Sequence, residues 1–486
     1  MFQLGRGEVI DPSEAFRHMS VAKPLLLIPV ENQVRELDPK LLLACIAARR
    51  GYSSIIGSRR EMEMLIDQFP RSIYLSKSMT VRSLLFFWAA SKFGHDIITW
   101  DEEALVHLPP ETYFSRRLHP AAIRHVSHLF AWGEENAELW RQYPALPKET
   151  PIHVTGNPRS DLLRRELHAY YAAEMDGIRK EYGNFILVNT NFNHVNAFGP
   201  DMNLFQPAKK AGRKPRFGRA ARGMRRDYAE GLRDHKLAVF ADFQRMLPEL
   251  ERSFPDHTIV VRPHPTESHD VYREIAARCQ RVRVTNEGNV VPWLLCAKAL
   301  VHNGCTTGVE AFVMRIPAVS FRASVNEIYD SGFYRLPNAL SHQCFTFETL
   351  RETLRQILEG TLGAPDGDNL RRILQQHIAG QDGPLACERM VDVLDEIATD
   401  QSNSAAPGLS RRFECWAITK GLGLLRRIKS RLPGSHNRPE FQRHRYPGIP
   451  IEEFRSRLTR FQHLLGDRTR LEVEPVTATL YRLRVA

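Results

Sequence analysis

The run Ala299-Leu-Val-His302-Asn-Gly-Cys-Thr306-Thr-Gly-Val-Glu310-Ala-Phe-Val-Met314 changes character twice in sixteen residues. Ala299–His302 is short and apolar, as a buried strand is, and it ends in a polar turn. Gly308–Met314 then has the spacing of a helix, and Ala318–Phe321 is apolar again. Strand, helix and strand in so short a stretch make one βαβ step of a parallel sheet. Upstream the same alternation runs through Phe185-Ile-Leu-Val-Asn-Thr-Asn191, a long helix at about 228–251, the strand Thr258–Arg262 and a helix near 271–279.

An earlier series has the same rhythm. Pro24–Val30 reads as a buried strand and Asp38–Arg50 as a helix stopped by Gly51. Ser53–Gly57, Ser72–Lys77, Asp96–Trp100, Leu129–Gly133 and Ile152–Gly156 are further strands, with helices between them. The break near 156–184 separates the two series. The pattern predicts an α/β protein of two Rossmann-like parallel-sheet domains facing a cleft, at residues 1–160 and 161–360. A mostly helical C-terminal extension, 361–486, follows. Ligands of such sheets sit beyond the carboxyl ends of the strands.

At 486 residues, with 43% hydrophobic and 25% charged side chains, the chain is globular and too long for one core. No apolar run approaches the roughly 20 residues of a membrane span. The first residues carry early charges and no signal-type apolar region, which predicts a cytoplasmic protein. Seven scattered cysteines without C-x-x-C argue against a disulfide scaffold or a cysteine zinc site. The net charge of +11 is concentrated in two segments. Residues 206–226 hold nine basic residues and no acid, and residues 411–431 hold seven and only Glu414; the remainder carries about −4. No nucleic-acid reader motif accompanies these patches. They suit phosphates, as a polyphosphate ligand or an anionic membrane surface.

Chemistry is expected where Ile259-Val-Val-Arg262-Pro-His264-Pro265 and Ala299–Phe312 end in polar loops at one sheet edge. Arg262 and His264 could donate to a phosphate, and Asn303, Thr306 and Thr307 lead into a helix mouth with free N–H groups. Glu310, one turn on, could accept from ribose hydroxyls. A plain N-cap at Thr306 and a turn histidine at 264 are the structural alternatives. Asn189, Asn191 and Asn193 follow the first strand of the second domain and could line the phosphate path.

With these motifs the chain resembles the GT-B glycosyltransferases, specifically the bacterial surface carbohydrate biosynthesis proteins related to capsule-building transferases. The resemblance rests on Arg262-Pro-His-Pro265 and His302-Asn-Gly-Cys-Thr-Thr-Gly-Val-Glu-Ala311. In the first half it rests on Glu31-Asn-Gln-Val-Arg-Glu-Leu-Asp38, Trp100-Asp-Glu-Glu103, Phe130-Ala-Trp-Gly133 and Val154-Thr-Gly-Asn-Pro-Arg159. It covers about residues 22–345, with a weaker likeness in Arg445-Tyr-Pro-Gly448, and implies a GT-B-like fold. In transferases using cytidine-monophosphate sugars, a His-Pro motif contacts the donor phosphate, which gives that role to His264, shared by Thr306 and Thr307. An acidic-acidic-glycine motif supplies the general base. The match here is Glu102-Glu103-Ala104, departing from it at Ala104, with Glu102 as the base and Asp101 and Glu103 as alternates.

The resemblance implies a metal-independent transfer of a sugar, a nonulosonic or 3-deoxy sugar among the candidates, from a CMP-linked donor. The acceptor would be a surface glycan or lipid-linked glycan, and the nucleotide-sugar a co-substrate, with no cofactor. A CDP-glycerol or polyol phosphotransferase building a phosphodiester polymer is the alternative, and a catalytically silent assembly protein a third. Independently of family, a sugar hydroxyl needs a positioned base, and the leaving phosphate needs fixed donors. Three acids in a row could equally be a solvated helix cap.

Glu31, Arg35 and Glu36, just after the first strand, could bind acceptor hydroxyls or form a helix-start salt bridge. Asp366-Gly-Asp368 imitates a metal-binding pair but lies beyond the sheet, and His119, His125 and His128 lack a carboxylate to complete a site. Gly421-Leu-Gly423 lacks the strand and third glycine of a dinucleotide fingerprint. The 206–226 loop reads as a solvated insertion or as a holder of donor or lipid pyrophosphate. Residues 411–431 combine cations with Trp416 and leucines, as an interfacial helix does, giving peripheral attachment to the inner membrane face as an expectation.

Overall fold

The computed structural model describes residues 23–107, 109–207, 215–330, 335–400, 409–431 and 438–486. They form two compact units. The first comprises the described residues through Leu105, Pro110–Leu162 and Ile373–Ala486; the second comprises Val106–Pro109 and Leu163–Arg372. Both are α/β, as the alternation predicts.

The first unit opens with β1 (Leu25–Val30), β2 (Ser54–Ser58), β3 (Ser72–Ser76), β4 (Asp96–Thr99), β5 (His128–Ala131) and β6 (Ile152–Val154). All pair in parallel, in the order β2-β1-β3-β4-β5-β6. Parallel strands covered on both faces need apolar residues throughout, and all six residues of β1 are buried. The helix Gln33–Arg49 follows β1, and Gly51, at a φ of +85°, turns the chain beyond its end in the left-handed region that a side chain resists. Leu27, Ile55, Tyr74, Phe87, Ile97 and Trp140 build the core beneath this sheet.

The second unit carries β7 (Phe185–Asn189), the short antiparallel pair β8 (Phe205–Gln206) and β9 (Arg216–Phe217), then β10 (Thr258–Arg262), β11 (Val282–Val284), β12 (Ala299–His302), β13 (Ala318–Phe321) and β14 (His342–Cys344). Its sheet is parallel in the order β11-β10-β7-β12-β13-β14. The helix Arg226–Ser253 packs Phe240, Phe243 and Leu247 against Val188, Val261 and Val301.

Residues 361–486, expected as a separate extension, divide between the units. From Ile373 onward they belong to the first. The buried Asp161 carboxylate accepts the N–H groups of Ala386 (2.7 Å) and Cys387 (2.9 Å), capping the helix Ala386–Asp400. Then β15 (Leu471–Pro475) and β16 (Leu480–Val485) form a hairpin, and β16 pairs antiparallel with β2. Sequence reading gives one short strand here. The contact with β2 requires Gly57, where a Cβ would stand 2.0 Å from the Thr479 carbonyl oxygen.

Lys209, Lys210, Arg213 and Lys214 of the basic loop lie outside the described residues, as do residues 1–22. The flanks of that loop fold back: Arg226 lies over the rings of Phe205 (5.6 Å) and Phe217 (5.2 Å). The basic segment near the C-terminus is one helix, Leu409–Ser430. No described helix is long and apolar enough to cross a membrane.

Candidate functional site

Each sheet reverses direction of travel once. In the second unit the chain goes from β7 to β10 and β11 on one side, then resumes at β12 on the other. Such a switch opens a crevice at the carboxyl ends of the two central strands. Register places Asn189, the last residue of β7, between Arg262 of β10 and His302 of β12. Three buried side chains at this edge hold polar atoms without a hydrogen-bond partner: Oδ1 of Asn189, both Oδ1 and Nδ2 of Asn303, and Oγ1 of Thr307. Buried polar groups are paired in nearly all proteins, so a cluster of exceptions at a switch point makes this edge the candidate site.

The loop carrying these groups is held from below. His302 is fully buried; its Nδ1 accepts from the N–H groups of Gly304 (3.0 Å) and Cys305 (3.4 Å). Ser341 donates its hydroxyl to Pro337, so Nε2 of His302 donates to Ser341 Oγ at 2.8 Å. Burial pushes this imidazole down to about 3, which keeps it neutral in that tautomer. The helix Thr306–Val313 starts immediately beyond, with Thr306 half-buried, Thr307 buried at its mouth and Glu310 buried one turn on.

On the β10 side, Arg262 behaves otherwise than as an open phosphate donor. Its guanidinium donates to the carbonyls of Glu287 (2.8 Å) and Gly288 (3.1 Å) and lies 4.7 Å over Trp293. Burial lowers it to about 10. It anchors the loop after β11. His264 is half-buried. Its Nδ1 faces the Thr266 hydroxyl at 2.8 Å and accepts the Thr266 N–H at 3.3 Å, leaving the proton of the neutral ring on Nε2. Asn191 is buried, and Asn193 donates to Thr266 Oγ1 at 3.2 Å. Beneath both loops lies Glu267, which accepts from Thr190, Phe192, His264 and Tyr272.

In the first unit the switch falls at β1 and β3, and charges crowd its carboxyl edge. Glu36 accepts Lys40 Nζ and the Glu31 N–H, each at 2.9 Å, and also Lys77. Burial alone would raise Glu36, but Lys40 and Lys77 hold it well below the usual carboxylate range. Glu31 meets Lys77 at 2.9 Å, Arg59 at 3.4 Å and Arg445; against its burial, these cations bring it to about 2. Arg35 pairs with the half-buried Glu103 at 3.0 Å.

The three successive acids differ sharply. Asp101 has both oxygens committed, to Arg117, the Tyr113 hydroxyl (2.9 Å) and the Glu103 N–H (3.1 Å). Glu103 is turned outward to Arg35. Glu102 is buried; Oε1 accepts the Trp100 indole at 2.9 Å with Lys40 at 3.9 Å, while Oε2 has no hydrogen-bond partner and sees Arg159 only at 3.9 Å. Glu102 thus has an open acceptor site.

Sequence reading missed Lys40, Lys77, Glu267 and His302. Lys40 carries a legible signal, its i,i+4 spacing from Glu36; Glu267 has none, since its donors include residues 75 and 77 positions away. Asp366 and Asp368 both bond to Arg371 at 2.9 Å on the surface. His128 pairs with His153 at 3.1 Å. Among the described residues no group of three or more His, Cys, Asp or Glu is placed to hold a metal ion.

No family model matches the chain, and no curated protein does. Among solved structures it is similar to the wall teichoic acid polymerase TagF, with 12% identity over 81% of this chain and 93% of that one and a TM-score of 0.46. It is similar to S. aureus MnaA bound to UDP (13%, covering 79% and 100%, TM-score 0.43). A UDP-GlcNAc 2-epimerase from Neisseria meningitidis bound to UDP-GlcNAc gives 11%, 78% and 99%, and 0.44. At TM-scores below 0.5 these similarities assign neither a family nor a reaction.

Proposed function

We infer that the chain is a metal-independent glycosyltransferase that moves a sugar from a CMP-linked donor to a surface glycan or lipid-linked acceptor. The observation that carries this reading is the set of buried, unpartnered groups on Asn189, Asn303 and Thr307 at the switch point of the second unit. Asn303 Nδ2 and the Thr307 hydroxyl are donors beside a helix mouth and suit a phosphate, while the Oδ1 atoms of Asn189 and Asn303 are acceptors that suit ribose or sugar hydroxyls. His264 Nε2 supplies a further donor, and Glu310 an acceptor for ribose.

In this reading the acceptor hydroxyl oxygen attacks the anomeric carbon of the donor as the bond from that carbon to the phosphate oxygen breaks. Glu102 Oε2 takes the hydroxyl proton, and the leaving nucleotide keeps the electron pair. Glu31, Arg35 and Glu36 belong to the acceptor edge. Each is paired with a neighbouring charge, Glu31 with Lys77 and Arg59, Arg35 with Glu103, and Glu36 with Lys40 and Lys77, which fixes their positions and favours hydroxyl-bearing ligands.

Peripheral attachment to an anionic membrane belongs to the same proposal. On the helix Leu409–Ser430, Thr419 is buried while Trp416, Leu424, Leu425 and Ile428 are about half or more exposed. Lys420 and Arg427 are exposed among them. Apolar side chains with cations alongside match a lipid surface.

The test of the catalytic reading is ligand-induced stabilisation. CMP or CDP at 100 times its dissociation constant should stabilise the native state by about 2.7 kcal/mol, visible as a raised Tm. Transfer products identified by mass would separate a sugar transferase from a polyol-phosphate transferase. A protein that responds to no nucleotide would remove the proposal.

A further inference from the structure

Glu267 is the most densely hydrogen-bonded buried carboxylate at the phosphate edge proposed above, and no role is assigned to it there. It is 1% exposed. Oε1 accepts the Phe192 N–H at 2.9 Å, the His264 N–H at 3.1 Å and the Thr190 hydroxyl at 3.0 Å. Oε2 accepts the Tyr272 hydroxyl at 2.7 Å and lies 3.1 Å from Thr190 Oγ1. Four donors converge on one carboxylate from three places: the loop after β7, the loop after β10, and the helix Asp270–Ala276.

Two of these donors are backbone groups of the loops that carry Asn191, Asn193 and His264. Backbone N–H groups in irregular loops have no ladder partner, and buried ones must find one. Glu267 supplies it to both loops at once. Both backbone donors meet Oε1, whereas Oε2 faces only the Tyr272 and Thr190 hydroxyls, which can also accept; a glutamine can therefore keep its oxygen on the two N–H groups, while an alanine leaves both without an acceptor. Burial raises the Glu267 carboxyl above its ordinary value, and the hydrogen bonds from Tyr272, Phe192, His264 and Thr190 act against that rise.

We propose that Glu267 is a positioning residue for the phosphate of the donor nucleotide: by accepting Phe192 N–H and His264 N–H together, it sets the two loops that present Asn191 and the His264 imidazole. This rests on the reading of that edge as a nucleotide site. The carboxylate does not touch the ligand. It fixes the spacing of the groups that do, as supporting contacts do around other preorganised sites.

The experiment compares CMP with cytidine, by titration calorimetry on the full chain, in wild type, Glu267→Ala and Glu267→Gln. A positioning role predicts that Glu267→Ala binds CMP at least ten-fold more weakly while cytidine affinity changes less than two-fold, and that Glu267→Gln, which keeps an acceptor for both loop N–H groups, stays within about three-fold of wild type. The CMP-to-cytidine preference therefore collapses in Glu267→Ala. General damage to the unit would weaken both ligands alike and overturn the proposal, as would a preference in Glu267→Ala unchanged from wild type. Should Glu267→Ala not fold, Thr190→Val is read in its place, with a loss of preference of three-fold or more expected. If wild type itself prefers CMP to cytidine by nothing measurable, the nucleotide reading fails, separately from the role of Glu267.

Discussion

A Cβ placed on Gly308 would stand 2.6 Å from Nε2 of His302, the atom that bonds Ser341. The first turn of the helix Thr306–Val313 therefore sits directly on a buried imidazole that also holds Gly304 and Cys305. Gly308→Ala should force His302 out of place and cost about 1–3 kcal/mol in denaturant unfolding, with weaker nucleotide binding. Wild-type stability together with unchanged binding would show that this packing does not set the loop.

Glu102→Gln keeps the shape of the side chain and removes the proton acceptor. Turnover should fall by about 10²–10⁴-fold, the range of a general base, while the midpoint of nucleotide binding stays put. His264→Ala should do the reverse, weakening donor use first. Full activity in Glu102→Gln would move the base elsewhere.

Lys40 is 1% exposed and serves Glu36 and the Pro29 carbonyl (2.6 Å), with Glu102 nearby. Lys40→Met removes one of the two cations on the buried Glu36 carboxylate, which keeps Lys77 and the Glu31 N–H, and should destabilise the chain by about 1.5–3 kcal/mol. Adding Glu36→Leu should restore a substantial part of that loss. Urea titration of both variants measures it; a single variant as stable as wild type contradicts the buried network.

Glu31 has a folded value of about 2 against an ordinary 4.5. A depressed carboxylate stabilises the fold above its unfolded value, and the gain is lost as pH falls through the window from 4.5 towards 2. Glu31→Gln should therefore be less stable than wild type at about pH 7, and the difference should shrink steadily as the unfolded carboxyl begins to protonate. A stability gap independent of pH would assign the effect to packing instead.

Vesicles containing anionic lipid should carry the protein upward in a low-salt flotation gradient, and neutral vesicles should not. Raising salt should release it, since the cations act within a Debye length of about 10 Å at 0.1 M. Trp416→Ala combined with Leu424→Ala should lower the bound fraction at constant charge. A protein that stays at the bottom with anionic vesicles ends the membrane proposal.

The parallel strands were legible because burial on both faces leaves an uninterrupted apolar run, as in Leu25–Val30 and Ile259–Val261. The hairpin β15–β16 was not. Glu472, Glu474, Arg482 and Arg484 dilute its pattern, and its partner β2 lies about four hundred residues earlier. At the candidate site, residue type and strand-end position pointed to Asn189, Asn303 and Thr307, and the family resemblance to Glu102 with Asp101 and Glu103 as alternates. Which of three neighbouring acids keeps an open oxygen depends on Tyr113, Arg117 and Arg35, and these meet the acids only in three dimensions. Arg262 misled for a related reason: its partners, the Glu287 and Gly288 carbonyls, are backbone groups that no side-chain pattern reveals.

Because β16 pairs with the outer flank of β2, the sheet of the first unit joins strands from opposite ends of the described chain. Residues 163–372 contain every strand of their own sheet and can close as they leave the ribosome. In the unit that is made first, the outer flank of β2 stays uncovered until Leu480–Val485 has been synthesised. A truncation that removes this last strand would thus be felt in the half of the protein encoded some four hundred codons earlier.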